Sequence, residues 1–264
     1  MSKKLKRIQL LTMLGILLSA NPKIVKANVD LSFLEISGNP EYIDDLIIFI
    51  QSLDDDLVTF LNQCNFRAII MGENNSAEDV FYQINGYYPG SITGVAVYDN
   101  MDNYAIYVEG SKHLDNYPDI GSNYTIDELN SIIVKDTFIH EIGHFIDIKM
   151  YDFISEKSEF NNIYLNEVNS FMNTDEYRVN VLGVYQNINC SHEYFATAFA
   201  GYFCDKDNLK KYCPLTFDFM ERVMADIRSN VVYYDDFDVL TSGSSDYYCY
   251  NRADISVKSK GLKR

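Results

Sequence analysis

The sequence has no tryptophan, no C-x-x-C pair and only four histidines. Nor does it contain an apolar run of the roughly 18 residues that a membrane-spanning helix needs. Basic residues are scarce as well: 22 Lys and Arg stand against 38 Asp and Glu, a formal charge of −16. Each shortage excludes something. Phosphate neutralisation needs a basic face, so this charge argues against a nucleic-acid binder. Without C-x-x-C there is neither a zinc ribbon nor a thiol redox motif. The cysteines, Cys64, Cys190, Cys204, Cys213 and Cys249, are odd in number. At least one thiol is therefore free or intermolecular, while a Cys204–Cys213 bridge is possible in an oxidising setting. None of them sits in a recognisable nucleophile signature. Core mass falls to 21 Tyr and 16 Phe within a chain that is 47% apolar. That composition rules out wholesale disorder, and 264 residues suit one large domain or two lobes sharing a cleft.

Charge is also unevenly spread. Residues 1–27 hold Lys3, Lys4, Lys6, Arg7, Lys23 and Lys26 and no acidic residue, and Ile8 to Ala20 is mostly apolar. This is the pattern of a secretory signal peptide, with Val25-Lys26-Ala27 as a tolerable cleavage site. Its removal leaves 16 basic and 38 acidic residues, a charge of −22. The expected product is secreted and extracellular, self-repelling and without stable membrane association.

Periodicity divides the rest. Pro40–Asn62 reads as helical, interrupted near Asp54-Asp55-Asp56. Phe66–Met71 reads as a buried strand, Ile92–Tyr98 with Tyr104–Val108 as a hairpin, and Asn85–Gly90 as a turn-rich loop. Thr125 and Glu128 fit a capping box opening a helix that runs to about Met150. Further helices are expected over Ser158–Met172, Glu193–Tyr202 and Thr216–Ile227. Strands first and helices after give an α+β class. The expected organisation is a signal peptide (1–27), one domain (28–240, lobes meeting near 150) and a tail (241–264) with no clear period.

One motif carries chemistry: His140-Glu141-Ile142-Gly143-His144, or H-E-x-x-H. Residues four apart share a helix face, so both imidazoles can coordinate one Zn²⁺ with Glu141 beside them. Zinc lowers the pKa of a bound water to about 7, and a neighbouring carboxylate can act as the base. Met150, six residues past His144, excludes the metzincin pattern for a third ligand. That leaves a carboxylate on a later helix, and two compete. Glu167 lies on the apolar stripe of its helix, where a lone carboxylate is costly to bury. Glu193 opens a helix rich in small residues that can approach the motif closely. Spacing and periodicity alone do not separate them.

Three pieces, Phe138–Asp147 (FIHEIGHFID), Glu193–Phe199 (EYFATAF) and Pro214–Phe219 (PLTFDF), resemble the zinc-peptidase domain of anthrax toxin lethal factor. They are similar also to the secreted Pro-Pro endopeptidases of clostridia that share that domain. The resemblance covers about residues 60–230. It implies a zincin-like (gluzincin) fold and a secreted zinc endopeptidase acting on an extended peptide or protein substrate, with one Zn²⁺ on His140, His144 and Glu193 and with Glu141 as base. It implies also an oxyanion-stabilising tyrosine seven residues before the glutamate. Gln186 stands there; Tyr185 takes the role if the following loop carries one extra residue, and Tyr177 is a more distant substitute. The same resemblance suggests that the Ile92–Val108 hairpin pairs with the substrate backbone. Two other functions fit these residues: a lethal-factor-related toxin protease acting on host proteins, and a non-catalytic zincin-fold binding protein. The expected mature length leaves no room for the carrier-binding domain a toxin needs, and an intact Glu141 disfavours a protein that only binds zinc.

Overall fold

Short apolar runs and a few strong capping residues build the chain's elements. The computed structural model describes residues 29–73, 75–88, 92–98, 104–111, 125–151, 153–171, 190–229 and 254–256. The chain divides into Met1–Asp30 and Leu31–Arg264, and every element lies in the second unit.

Strand β1 (Leu34–Ser37) is followed by helices α1 (Ile43–Ser52) and α2 (Asp55–Gln63). The acidic run divides these helices because the Asp54 side chain accepts from the Asp56 N–H and so starts α2. Next come β2 (Arg67–Met71), α3 (Ala77–Asn85), β3 (Gly94–Tyr98) and β4 (Tyr104–Glu109). The sheet order is β1-β2-β4-β3-β5, where β5 is Asp254–Ser256. β1, β2 and β4 run parallel, β3 is antiparallel to β4, and β5 lies parallel to β3 against Ala96–Tyr98.

Alternation of side chains gives the sheet two covered faces. On one, Ile69, Met71, Val95 and Ala105 pack with Ala77 and Phe81 of α3. On the other, Tyr104 packs on Phe145 of the long helix α4 (Ile126–Tyr151), which Phe66 and Phe60 also meet. Beyond α4 lie a 3₁₀ turn (Ile154–Glu156), α5 (Ser158–Phe171), α6 (Ser191–Cys204), α7 (Lys206–Tyr212) and α8 (Pro214–Arg228). Phe160 of α5 meets both Phe195 of α6 and Phe219 of α8, at ring separations of 5.2 and 4.9 Å.

The architecture is mixed α and β, with a small sheet and mostly helices. Four details depart from expectation. Strands do not simply precede helices, because α1, α2 and α3 alternate with β1, β2 and β3. β1, α3 and α7 are additional, each too short to show a period; for α3 the usable signals were Ser76, which caps the Asp79 N–H, and Gly86, left-handed at its end. The tail contributes β5. The Cys204–Cys213 bridge does not form: Cys204 is exposed, whereas the Cys213 thiol is buried against the Glu167 carbonyl. Cys190 is disulfide-bonded. Among the described residues no helix is long and apolar enough to cross a membrane.

Glu167 has a structural partner that accounts for its burial. Its carboxylate accepts from the Leu215 N–H (2.9 Å), the Thr216 N–H (2.8 Å) and the Thr216 hydroxyl (2.7 Å). It thus caps the first turn of α8 from a neighbouring helix, where free N–H groups and the helix dipole favour an anion. Glu167→Ala should lower stability by about 1–3 kcal/mol, since buried donors lose their acceptor. Urea denaturation should show a lower midpoint, and an unchanged midpoint would mean that water replaces the cap at no cost.

Candidate metal centre

Helix α4 begins at the box read from the sequence. Thr125 donates its N–H (2.7 Å) and hydroxyl (2.9 Å) to Glu128, and its Oγ1 accepts from the Glu128 N–H (3.2 Å). From there the helix runs through the core, with Phe138, Ile139, Ile142, Phe145 and Ile146 fully buried. That packing fixes its rotation and so directs the motif. His140, Glu141 and His144 are 0%, 3% and 1% exposed.

The histidine Nε2 atoms lie 2.9 Å apart with their rings at 83°. Glu193, in the first turn of α6, brings its carboxylate to 3.6 Å from His140 Nε2 and 3.7 Å from His144 Nε2. One donor atom from each of the three lies within 4.8 Å of the others, and all three residues are buried. Two imidazole nitrogens and a carboxylate, stripped of water and facing one another, fit a divalent cation. The His140 ring is steadied from behind by Thr197 Oγ1, 3.3 Å from Nδ1. A metal ligand's second nitrogen is commonly oriented in this way.

Two glycines bring the surrounding backbone close. A Cβ on Gly143 would stand 2.8 Å from Ala196 Cα and 3.2 Å from Phe199 Cβ, so α4 and α6 touch at the backbone there. A Cβ on Gly94 would stand 2.5 Å from Thr137 Cγ2 and 2.9 Å from Glu141 Oε1. The start of β3 therefore lies flush against Glu141. A Thr93–Thr137 hydroxyl pair at 2.9 Å ties the same corner.

The structure thus brings His140, His144 and Glu193 together, sets Glu141 against the start of β3, and engages Glu167 elsewhere, at the α8 N-terminus. Tyr185 and Tyr177 lie outside the described residues. Gly94 and Thr197 were not expected at the site. Thr197 lies four residues past Glu193, on the same helix face, and that spacing was the available signal. Gly94 offered none, because its importance comes from a tertiary approach.

A family model described as anthrax toxin lethal factor, N- and C-terminal domain, matches residues 35–223. A Pro-Pro endopeptidase of Clostridioides difficile (strain 630) is 35% identical over 88 residues, 32% of this chain. The match spans only 36% of that relative's length. The solved structure of a Pro-Pro endopeptidase from Paenibacillus alvei covers 73% of this chain and 97% of its own, at 18% identity and a TM-score of 0.47.

Gly143→Ala tests the helix contact. An added methyl would meet backbone on α6, and overpacking of this kind costs about 1–3 kcal/mol. The variant should unfold at lower temperature and bind a divalent cation about tenfold or more weakly, each 1.4 kcal/mol being a factor of ten. Wild-type affinity by chelator competition would show that the helices can part without disturbing the donors.

Proposed function

The chain belongs to the anthrax toxin lethal factor family, and on that premise we propose that it is a secreted zinc-dependent endopeptidase acting on extended peptide or protein substrates. The observation that carries this proposal is the convergence of His140, His144 and Glu193, with Glu141 next to His140 in the chain. Two imidazoles and one carboxylate are the donor set of catalytic zinc sites that leave a position open. The fold is then zincin-like, with one Zn²⁺ per chain.

Zinc bound there supplies Lewis-acid polarisation of the scissile carbonyl and a water acidic enough to attack near neutral pH. The chain's own residues do the rest. Glu141 takes a proton from the attacking water and passes it to the leaving amine nitrogen. Its burial against β3 restricts its rotamers and keeps bulk water away. Tyr185 donates its phenol hydrogen to the oxyanion. The substrate backbone pairs with the Gly94–Val95 end of β3, because β5 pairs with Ala96–Tyr98 of that strand. Bonds between prolines are a natural first substrate to test, given the name of the relative from Clostridioides difficile. Secretion rests on the signal-peptide pattern of residues 1–27, with the peptidase domain over 28–240.

Glu141→Gln should fold, keep one zinc per chain and lose proteolysis by about 10²–10⁴-fold, because it removes the base and no ligand. In the same assay Tyr185→Phe should lower kcat by about 10²–10³-fold with little change in KM, the pattern for a hydrogen bond made only in the transition state. Cleavage of a proline-containing peptide library, read by mass spectrometry, supplies the rates. Near-normal turnover by Glu141→Gln would overturn the mechanism, and a silent Tyr185→Phe would remove the tyrosine from it.

A further inference from the structure

Glu193 is the third residue of α6, and from that helix's first turn its carboxylate reaches the histidines of α4. Cys190 at the N-cap is anchored by its disulfide rather than by a capping side-chain hydrogen bond. A metal donor in a first turn stays within bonding range of its partners only while that turn is held against the helix that carries them.

The neighbouring residue supplies that hold. His192 Nδ1 lies 2.8 Å from Asp147 Oδ2 and 2.7 Å from Ser155 Oγ. Asp147 is completely buried, three residues past His144 on the same face of α4. Ser155 completes the carboxylate's shell, with its N–H on Oδ1 (2.7 Å) and its hydroxyl on Oδ2 (2.6 Å). The Ser155 hydroxyl donates to Asp147, and the His192 Nδ1–H then donates into the same pair. On the outer side Nε2 meets Glu156 Oε1 at 3.1 Å, and the Phe153 ring stands edge-on to the imidazole at 5.3 Å. The turn that presents Ser155 holds Phe153 at φ 62°, a left-handed conformation that a non-glycine residue enters at a cost.

The contacts fall in sequence along two antiparallel helices: Asp147 meets His192, His144 and His140 meet Glu193, Gly143 meets Ala196, and His140 meets Thr197. The His192–Asp147 bond closes this series at the end where α6 begins, one residue from the Glu193 donor. We infer that His192 is a positioning residue: through Nδ1 it fastens the first turn of α6 to Asp147 and so holds the Glu193 carboxylate in register with His140 and His144. The inference rests on reading the three donors as a zinc site, and it adds a requirement that the donors alone do not state.

The test uses the full chain, stripped of metal, as wild type and as His192→Ala, His192→Asn and His192→Gln. Asn carries its amide where Nδ1 stood and can still donate to Asp147. Gln carries its amide at the Nε2 position, toward Glu156. Zn²⁺ affinity is measured by competition with a chromophoric chelator, the visible spectrum of the Co²⁺ form reports the ligand geometry, and the metal-free unfolding midpoint reports stability separately. His192→Ala and His192→Gln should bind Zn²⁺ about 10–100-fold more weakly, the usual cost of losing a group that orients a ligand, with altered Co²⁺ bands. His192→Asn should recover most of both. If His192→Ala does not fold, the Asn and Gln pair carries the comparison. Wild-type affinity and spectrum in His192→Gln would overturn the inference even if its unfolding midpoint fell, since the bond would then be structural only; so would Asn and Gln variants weakened equally. Failure of the wild-type chain itself to bind Zn²⁺ would instead contradict the metal site.

Discussion

Helices α4 and α6 meet at backbone distance because Gly143 has no side chain where Ala196 passes. The candidate site depends on that approach. His140 and His144 project from one helix and Glu193 from the other, so donor spacing is set by helix spacing. Apolar residues on both helices supply the force, with Phe138, Ile142, Phe145, Phe195 and Phe199 all fully buried. Burial of side chains of this size contributes about 1.5–3 kcal/mol each. The hydrophobic core thus meets the cost of bringing two imidazoles and a carboxylate out of water.

The sheet has a narrower task. Its strands β1, β2 and β4 form a parallel set, and β3 returns antiparallel to pass the motif helix. Gly94 allows that passage to be tight enough that Glu141 lies between α4 and the start of β3. That close packing at Gly94 constrains where the Glu141 carboxylate stands. The pairing of β5 with Ala96–Tyr98 brings a segment near the C-terminus to the same strand. Tail and candidate substrate edge therefore share one structural element.

Much of this was legible in the sequence, for identifiable reasons. The H-E-x-x-H spacing works because four residues nearly complete a helical turn, so the motif, its helix and its capping box could be read locally. Glu167 and Glu193 could not be separated by spacing, since both are carboxylates on apolar helices. What separates them is tertiary: the N-terminus of α8 comes to Glu167, and the face of α4 comes to Glu193. β1 and α3 were missed because four and nine residues are too few to establish a period. The link from His192 to Asp147 was invisible for a different reason. Asp147 ends the motif segment and His192 stands one residue before Glu193, but only the packed helices show that they touch across 45 positions of sequence.

The central claim is that one zinc ion is held by His140, His144 and Glu193. Anomalous diffraction from crystals of the protein, collected on both sides of the zinc absorption edge, addresses it directly. The account predicts a single strong difference peak per chain, within bonding distance of His140 Nε2, His144 Nε2 and a Glu193 carboxylate oxygen. A peak bound to other residues, or no peak from protein grown and purified with zinc present, would contradict it.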